Sequence, residues 1–186
     1  GDDGIYNGAV DNASGVAMLL EMAAAIASGP TPDRSVYFLT LSAEESGLLG
    51  AAHYAENPVF PLVNTIANVN VDSGNMYGPT TDIVGIGAER SEMLPLLRQA
   101  AAGEDMTVTP DNQPNQGLFF RADQLAFARA GVPAVFINTG VDFVGKPEGY
   151  AAQVKADYRR ERYHQPADEY DPETMPLGGL VQQTKV

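Results

Sequence analysis

The chain has 186 residues, 44% of them apolar, which suits one globular domain with a sizeable core and leaves little room for two. Its 24 acids against 11 lysines and arginines give a formal net charge of −13, and no basic stretch exists to neutralise phosphates, which argues against a nucleic-acid partner or an anionic membrane surface. There is no cysteine, so disulfides and thiolate metal sites are excluded and any metal must bind through Asp, Glu and His.

The predicted elements alternate. From Ser14 to Ala27 the residues Val16, Leu19, Leu20, Ala23 and Ala27 recur at helical spacing, and Gly29-Pro30 ends the pattern. "SVYFLTL" at 35–41 reads as a strand buried on both faces, and the stretch 44–57 after it as a helix. Strands follow at 65–71 and 82–87, then a helix at 91–104 in which Pro95 must lie in the first turn or bend the axis. A short strand near 106–109, a polar loop at 110–117, a helix near 123–130 and a strand at 132–138 come next. The segment 139–171 is the longest without a clear element, and a last helix starts at Pro172 and is broken by Gly178-Gly179. This order implies an α/β fold with a mostly parallel central sheet, in which ligands gather outside the carboxyl ends of the strands. No run approaches 18 consecutive apolar residues, so no membrane span is expected.

Acids placed just after strands are therefore the ones to examine. Glu44 and Glu45 follow the strand 35–41, and Asp72 directly follows Val71. Each has an ordinary alternative, as a helix-start acid or a turn former. Asp11 lies among small residues at the mouth of the first helix, where an N-cap is the plain reading, although Asn12 or Ser14 could serve equally well. Small neighbours let another backbone or a ligand come close. His164 sits on the long loop between Tyr163 and Gln165-Pro166, whereas His53 falls mid-helix and reads as surface or packing. Four carboxylates on one rim would raise each other's pKa unless cations compensate, and mixed carboxylate and imidazole donors suit zinc, with cobalt or manganese as alternatives.

The stretches "GAVDNASG", "SAEESGLLG", "NVDSGN", "FFRADQLAFARAGVPAV" and "YHQPAD", in that order over residues 8–168, resemble the co-catalytic zinc aminopeptidases with a single α/β catalytic domain, typified by secreted bacterial leucine-type enzymes. The resemblance implies a three-layer sandwich of zinc-exopeptidase type, one domain over 1–186, with helices on both faces of the sheet. In that family pattern Asp11 bridges two zinc ions, Glu45 and His164 complete one site, Asp72 is a ligand of the other, and Glu44 is the general base. Tyr163 matches a residue that stabilises the oxyanion, and the Asp11–Asn12 peptide is expected to be cis. The implied reaction is hydrolysis of an N-terminal peptide bond in a peptide or aminoacyl substrate.

Against the family pattern, a further histidine ligand upstream of "DN" and the early strands are absent, and residue 1 is Gly, so a truncated segment of a secreted or periplasmic protein is expected. An incomplete sheet edge would then invite self-association. Gln124 stands where many relatives carry His, and Asp123 reads equally well as a helix cap. Two other readings stay open. One is a single-zinc acyltransferase of the glutaminyl cyclase kind, and the other is a non-catalytic fragment that keeps the fold for assembly.

Overall fold

The computed structural model describes residues 3–186. Four segments find partners and form one sheet: β1 (Asn68–Val71), β2 (Asp82–Ile86), β3 (Thr107–Thr109) and β4 (Ala134–Thr139), in the order β1-β4-β2-β3. β1 pairs with β4 and β2 with β3 in parallel, while β2 and β4 run antiparallel, with Gly85 opposite Ile137 and Ile86 opposite Phe136.

The inner strands β2 and β4 are nearly continuous apolar runs because both of their faces are covered. Alternate residues serve opposite layers. Ile83, Val135 and Ile137 pack with Leu97 and Ala101 of helix α3 (Met93–Gly103), and Val84, Ile86, Ala134 and Phe136 pack with Phe119, just ahead of helix α4 (Gln124–Arg129). Helices on both sides of a mostly parallel sheet make the expected three-layer α/β sandwich. A Cβ on Gly85 would collide with Leu97 Cδ2, so bare backbone at that point lets α3 settle on the sheet. Pro95 lies in the first turn of α3, where its missing N–H costs no intrahelical bond.

The remaining helices are α1 (Ser14–Ser28), α2 (Leu49–Glu56), α5 (Tyr150–Glu161) and α6 (Gly178–Lys185). α1 packs against α6 and α2 against α4. By length and composition alone, the helical run Ala9–Ser28 is long and apolar enough to cross a membrane, which counting consecutive apolar residues did not anticipate. Its first turns are bonded into the sheet end described below.

Four expectations are corrected. The segment 35–41 is extended but belongs to no strand; Tyr37 stacks on Phe60 at 4.1 Å, yet Val36 and Tyr37 are nearly half exposed. β-Rich residues make a strand only where another edge accepts their backbone groups, and no described segment does so. The helix expected from residue 44 starts at Leu49, because the chain first turns through left-handed Ala43 and Leu48. Within 139–171 lies α5, whose inward stripe of buried Ala151 and half-buried Val154 and Tyr158 is too narrow on an otherwise polar helix to read as amphipathic. Gly178 and Gly179 begin α6 rather than break it, since a Cβ on Gly179 would strike Gly78 O and lie against the Asn75 amide. The preceding turn is held by Asp171, which accepts from Glu173 N–H (2.9 Å) and Thr174 Oγ1 (2.7 Å).

Candidate metal centre

The site is built where α1 meets the end of β1. Ala13 N–H closes a wide turn onto Gly8 O (2.8 Å), and inside it Asp11 and Asn12 leave helical geometry; the peptide between them is cis. The Asn12 side chain accepts from Gly15 N–H (3.0 Å) and Ser73 N–H (3.1 Å) and donates to Val71 O (3.2 Å). Ser14 Oγ donates to Val10 O (2.6 Å) and accepts from Gly74 N–H (2.7 Å). These bonds fasten the Asp11 turn to the segment carrying Asp72. The small residues have the role inferred for them, as a Cβ on Gly15 would overlap Asn12 Oδ1 and come within 2.9 Å of Val71 O.

Asp11, Glu45 and His164 converge, each offering one donor atom, with all three atoms within 4.8 Å of one another. His164 Nε2 lies 2.6 Å from Glu45 Oε1 and 3.4 Å from Asp11 Oδ2. Tyr163 stacks on the His164 ring at a centroid distance of 3.7 Å and meets Tyr158 edge-on at 5.8 Å. Ala43, Ser73 and His164 all take positive φ, so three of the five described non-glycine residues in that region either flank the acids or belong to the cluster. Backbone held in sparsely populated conformations concentrates at functional sites.

The carboxylates crowd one another. Glu44 is pushed up to about 7, first by burial and then by Glu45, Asp123 and Asp11, with His164 pulling the other way. Asp72 rises to about 7 through burial and the charges of Asp11 and Glu44, and it shares a hydrogen bond with Asp11 that favours its protonated form. Asp11 is also raised, by burial and then Glu45, against the lowering influence of His164 and of the bond from Asp72. Tyr163 is raised by burial and by Asp11, Glu45 and Asp72, offset by Arg121. A cluster of this kind is short of positive charge, and its oxygen and imidazole donors are those a borderline divalent cation accepts. Asp11, Glu45 and His164 fit such an ion as three protein ligands with an open fourth position, and Asp72 is hydrogen-bonded to Asp11 beside them.

All six residues singled out in the sequence thus fall in one neighbourhood. His53 is exposed on α2, outside the cluster. Asp123 makes no cap bond to α4; its Oδ1 is buried without a partner, and its charge acts on Glu44 and Asp72. Gln124 is fully buried, accepting from Asn70 Nδ2 (2.9 Å) and donating to Phe119 O (2.7 Å), so it joins β1 to the chain before α4 and does not line the site. Sequence reasoning missed Asp168, an acid on a polar loop that turns out to be 2% exposed.

The family model described as "Peptidase family M28" matches residues 2–180. Among curated proteins, the aminopeptidase YwaD of Bacillus subtilis (strain 168) is 46% identical over 50 residues, 27% of this chain and 11% of that protein. A "probable zinc metalloprotease" of Pyrenophora tritici-repentis is 43% identical over 65 residues, 35% of this chain and 15% of the other. Among solved structures, an aminopeptidase from Aneurinibacillus sp. strain AM-1 superposes with a TM-score of 0.62 at 23% identity, over 95% of this chain and 38% of that one. A zinc aminopeptidase from Bacillus subtilis gives 0.60 at 23% identity, over 95% and 41%. The chain therefore spans about two-fifths of these structures and a smaller share of the curated relatives.

Proposed function

The chain belongs to peptidase family M28, and on that footing we propose that it carries the catalytic centre of a zinc-dependent aminopeptidase that hydrolyses the N-terminal bond of a peptide or aminoacyl substrate. The observation that carries this reading is the convergence of Asp11, Glu45 and His164 within 4.8 Å, with a second carboxyl, Glu44, beside them. The names of relatives, zinc aminopeptidase and zinc metalloprotease, support zinc as the metal.

Asp11, Glu45 and His164 would hold one zinc ion, and Asp11 with Asp72 would supply ligands to a second. Zinc bound there supplies Lewis-acid polarisation of the scissile carbonyl and makes water more acidic. Glu44, free to move a proton because its neighbour Glu45 serves as the ligand, accepts the proton of the attacking water and delivers it to the leaving amine. Tyr163, fixed by its stack on His164, directs its hydroxyl to the oxyanion.

The test is elemental analysis for zinc together with hydrolysis of an aminoacyl anilide. Zinc bound in proportion to protein, with Glu44→Gln retaining metal while losing turnover, is the expected result; a fully active variant overturns the base assignment. The grouping of three donors also suits a single-zinc acyltransferase. Conversion of an N-terminal glutamine peptide without anilide hydrolysis would select that reading. We further propose that the exposed apolar residues of the unpaired 35–41 segment and of Ile66 and Val69 at the β1 edge drive self-association of this segment.

A further inference from the structure

Resting on the metal-site reading above, we propose that Asp168 is a positioning residue for the metal ligands, its buried carboxylate locking the Asp11 turn to the His164 turn. The two ligand segments lie far apart in the chain, and Asp168 is where they meet. Its backbone oxygen accepts from Ala9 N–H (2.9 Å), and its own N–H closes onto Gln165 O (3.0 Å), next to His164. The carboxylate takes Val10 N–H on both oxygens (3.2 Å each), Asp11 N–H on Oδ2 (3.1 Å) and the Tyr158 hydroxyl on Oδ2 (3.2 Å). Every partner is a donor: Oδ2 takes all three and Oδ1 shares Val10 N–H, a set that a carboxylate, with no donor of its own, meets without conflict. An Asn in its place would turn an NH2 group toward an N–H and leave one buried donor unpaired.

Tyr158 adds the third side of the clamp. It comes from α5, meets Tyr163 edge-on, and Tyr163 stacks on His164, so Asp168 reaches both ligand residues through one hydroxyl and two amides. Ligand-orienting partners behind a metal site typically change its affinity by about 10–100-fold when removed.

A second buried carboxylate supplies the comparison. Asp82, 1% exposed, accepts from Val141 N–H, Asp142 N–H and Thr109 Oγ1, the same kind of loop anchor, but touches no ligand residue. The experiment measures zinc affinity of the 186-residue chain by competition with a chromophoric chelator, and the visible spectrum of the cobalt-substituted chain. The variants are Asp168→Asn, Tyr158→Phe and Asp82→Asn, each with its metal-free melting temperature. Asp168→Asn is expected to weaken zinc binding about 10–100-fold and to alter the cobalt bands. Tyr158→Phe should do so by a smaller factor in the same direction, and Asp82→Asn should lower the melting temperature with zinc affinity unchanged. If Asp168→Asn and Tyr158→Phe bind zinc like the parent, or if Asp82→Asn weakens binding as much for the same loss of melting temperature, the positioning role is overturned and Asp168 is only a structural anchor. Should Asp168→Asn fail to fold, Tyr158→Phe alone decides by the same criterion. A parent chain that binds no zinc overturns the metal-site reading itself, which is a separate outcome.

Discussion

Replacing Asp72 by Asn should stabilise the metal-free chain, by an amount that grows as pH rises above about 4 and is complete above about 7. In the folded chain the Asp72 carboxyl is raised from 3.8 to about 7, by burial first and then by Asp11 and Glu44. Between these two values the native state keeps a proton that the unfolded state releases, so stability falls as pH rises from about 4 to about 7 and the full penalty is present above 7. A rise of about three pH units at ~1.4 kcal/mol each corresponds to about 4 kcal/mol. Sharing of the proton with Asp11 and residual contact with water reduce this to roughly 2–4 kcal/mol. Asn carries no charge, and its NH2 can donate to Asp11 as the protonated acid does, so the bond is kept while the repulsion goes.

The assay is urea or thermal unfolding in the presence of a chelator at pH 4 and pH 8. At pH 4 the variant and parent should agree closely; at pH 8 the variant should be more stable by roughly 2–4 kcal/mol, a rise in melting temperature of about 5–10 °C for a chain of this size. Adding zinc should reverse the order, because metal relieves the same repulsion in the parent and loses a carboxylate in the variant. No gain at pH 8, or an equal gain at both pH values, would refute the argument that the acids crowd one another.

His164→Ala should weaken zinc binding by at least about tenfold and leave the metal-free melting curve nearly unchanged, since the ring is 45% exposed; isothermal titration checks the first and calorimetry the second. Glu44→Gln should lower kcat by about 100-fold or more with KM little changed, read from steady-state hydrolysis of an aminoacyl anilide. Gly85→Val should cost about 1–3 kcal/mol by driving a side chain into Leu97, measured by denaturant unfolding. Tyr37→Asp combined with Val69→Lys should shift sedimentation toward the monomer, and a parent that is already monomeric at every concentration would remove the self-association proposal.

The parts of this molecule legible in the sequence are those whose reasons are local. α1, α3 and β4 announce themselves by periodicity or by an apolar run bounded by Gly and Pro, and Asp72 by its place just after a strand. What escaped was decided by partners distant in sequence. Residues 35–41 have strand composition but no edge to pair with, and α5 holds its place through Ala151, Val154 and Tyr158 against parts of the fold that no local pattern reveals. The glycines at 178 and 179 looked like breakers because the carbonyl of Gly78, which admits no Cβ there, lies a hundred residues earlier. Asp168 was hidden for the same reason: nothing in "HQPADE" shows that the amides of Val10 and Asp11 will meet its carboxylate.

The candidate site is the place where local rules are broken together. Left-handed residues, crowded acids with raised pKa values, and the orphan oxygen of Asp123 each cost stability in the metal-free chain. They are supported by features that satisfy every rule, such as the three bonds of Asn12, the bridging hydroxyl of Ser14 and the donors gathered on Asp168. A rigid frame can hold like charges close only if an opposing charge returns what the arrangement costs. Metal binding and folding should therefore be coupled here, with zinc raising the melting temperature more at pH 8 than at pH 5, because at the higher pH it neutralises repulsion and at the lower it must displace the proton held by Asp72.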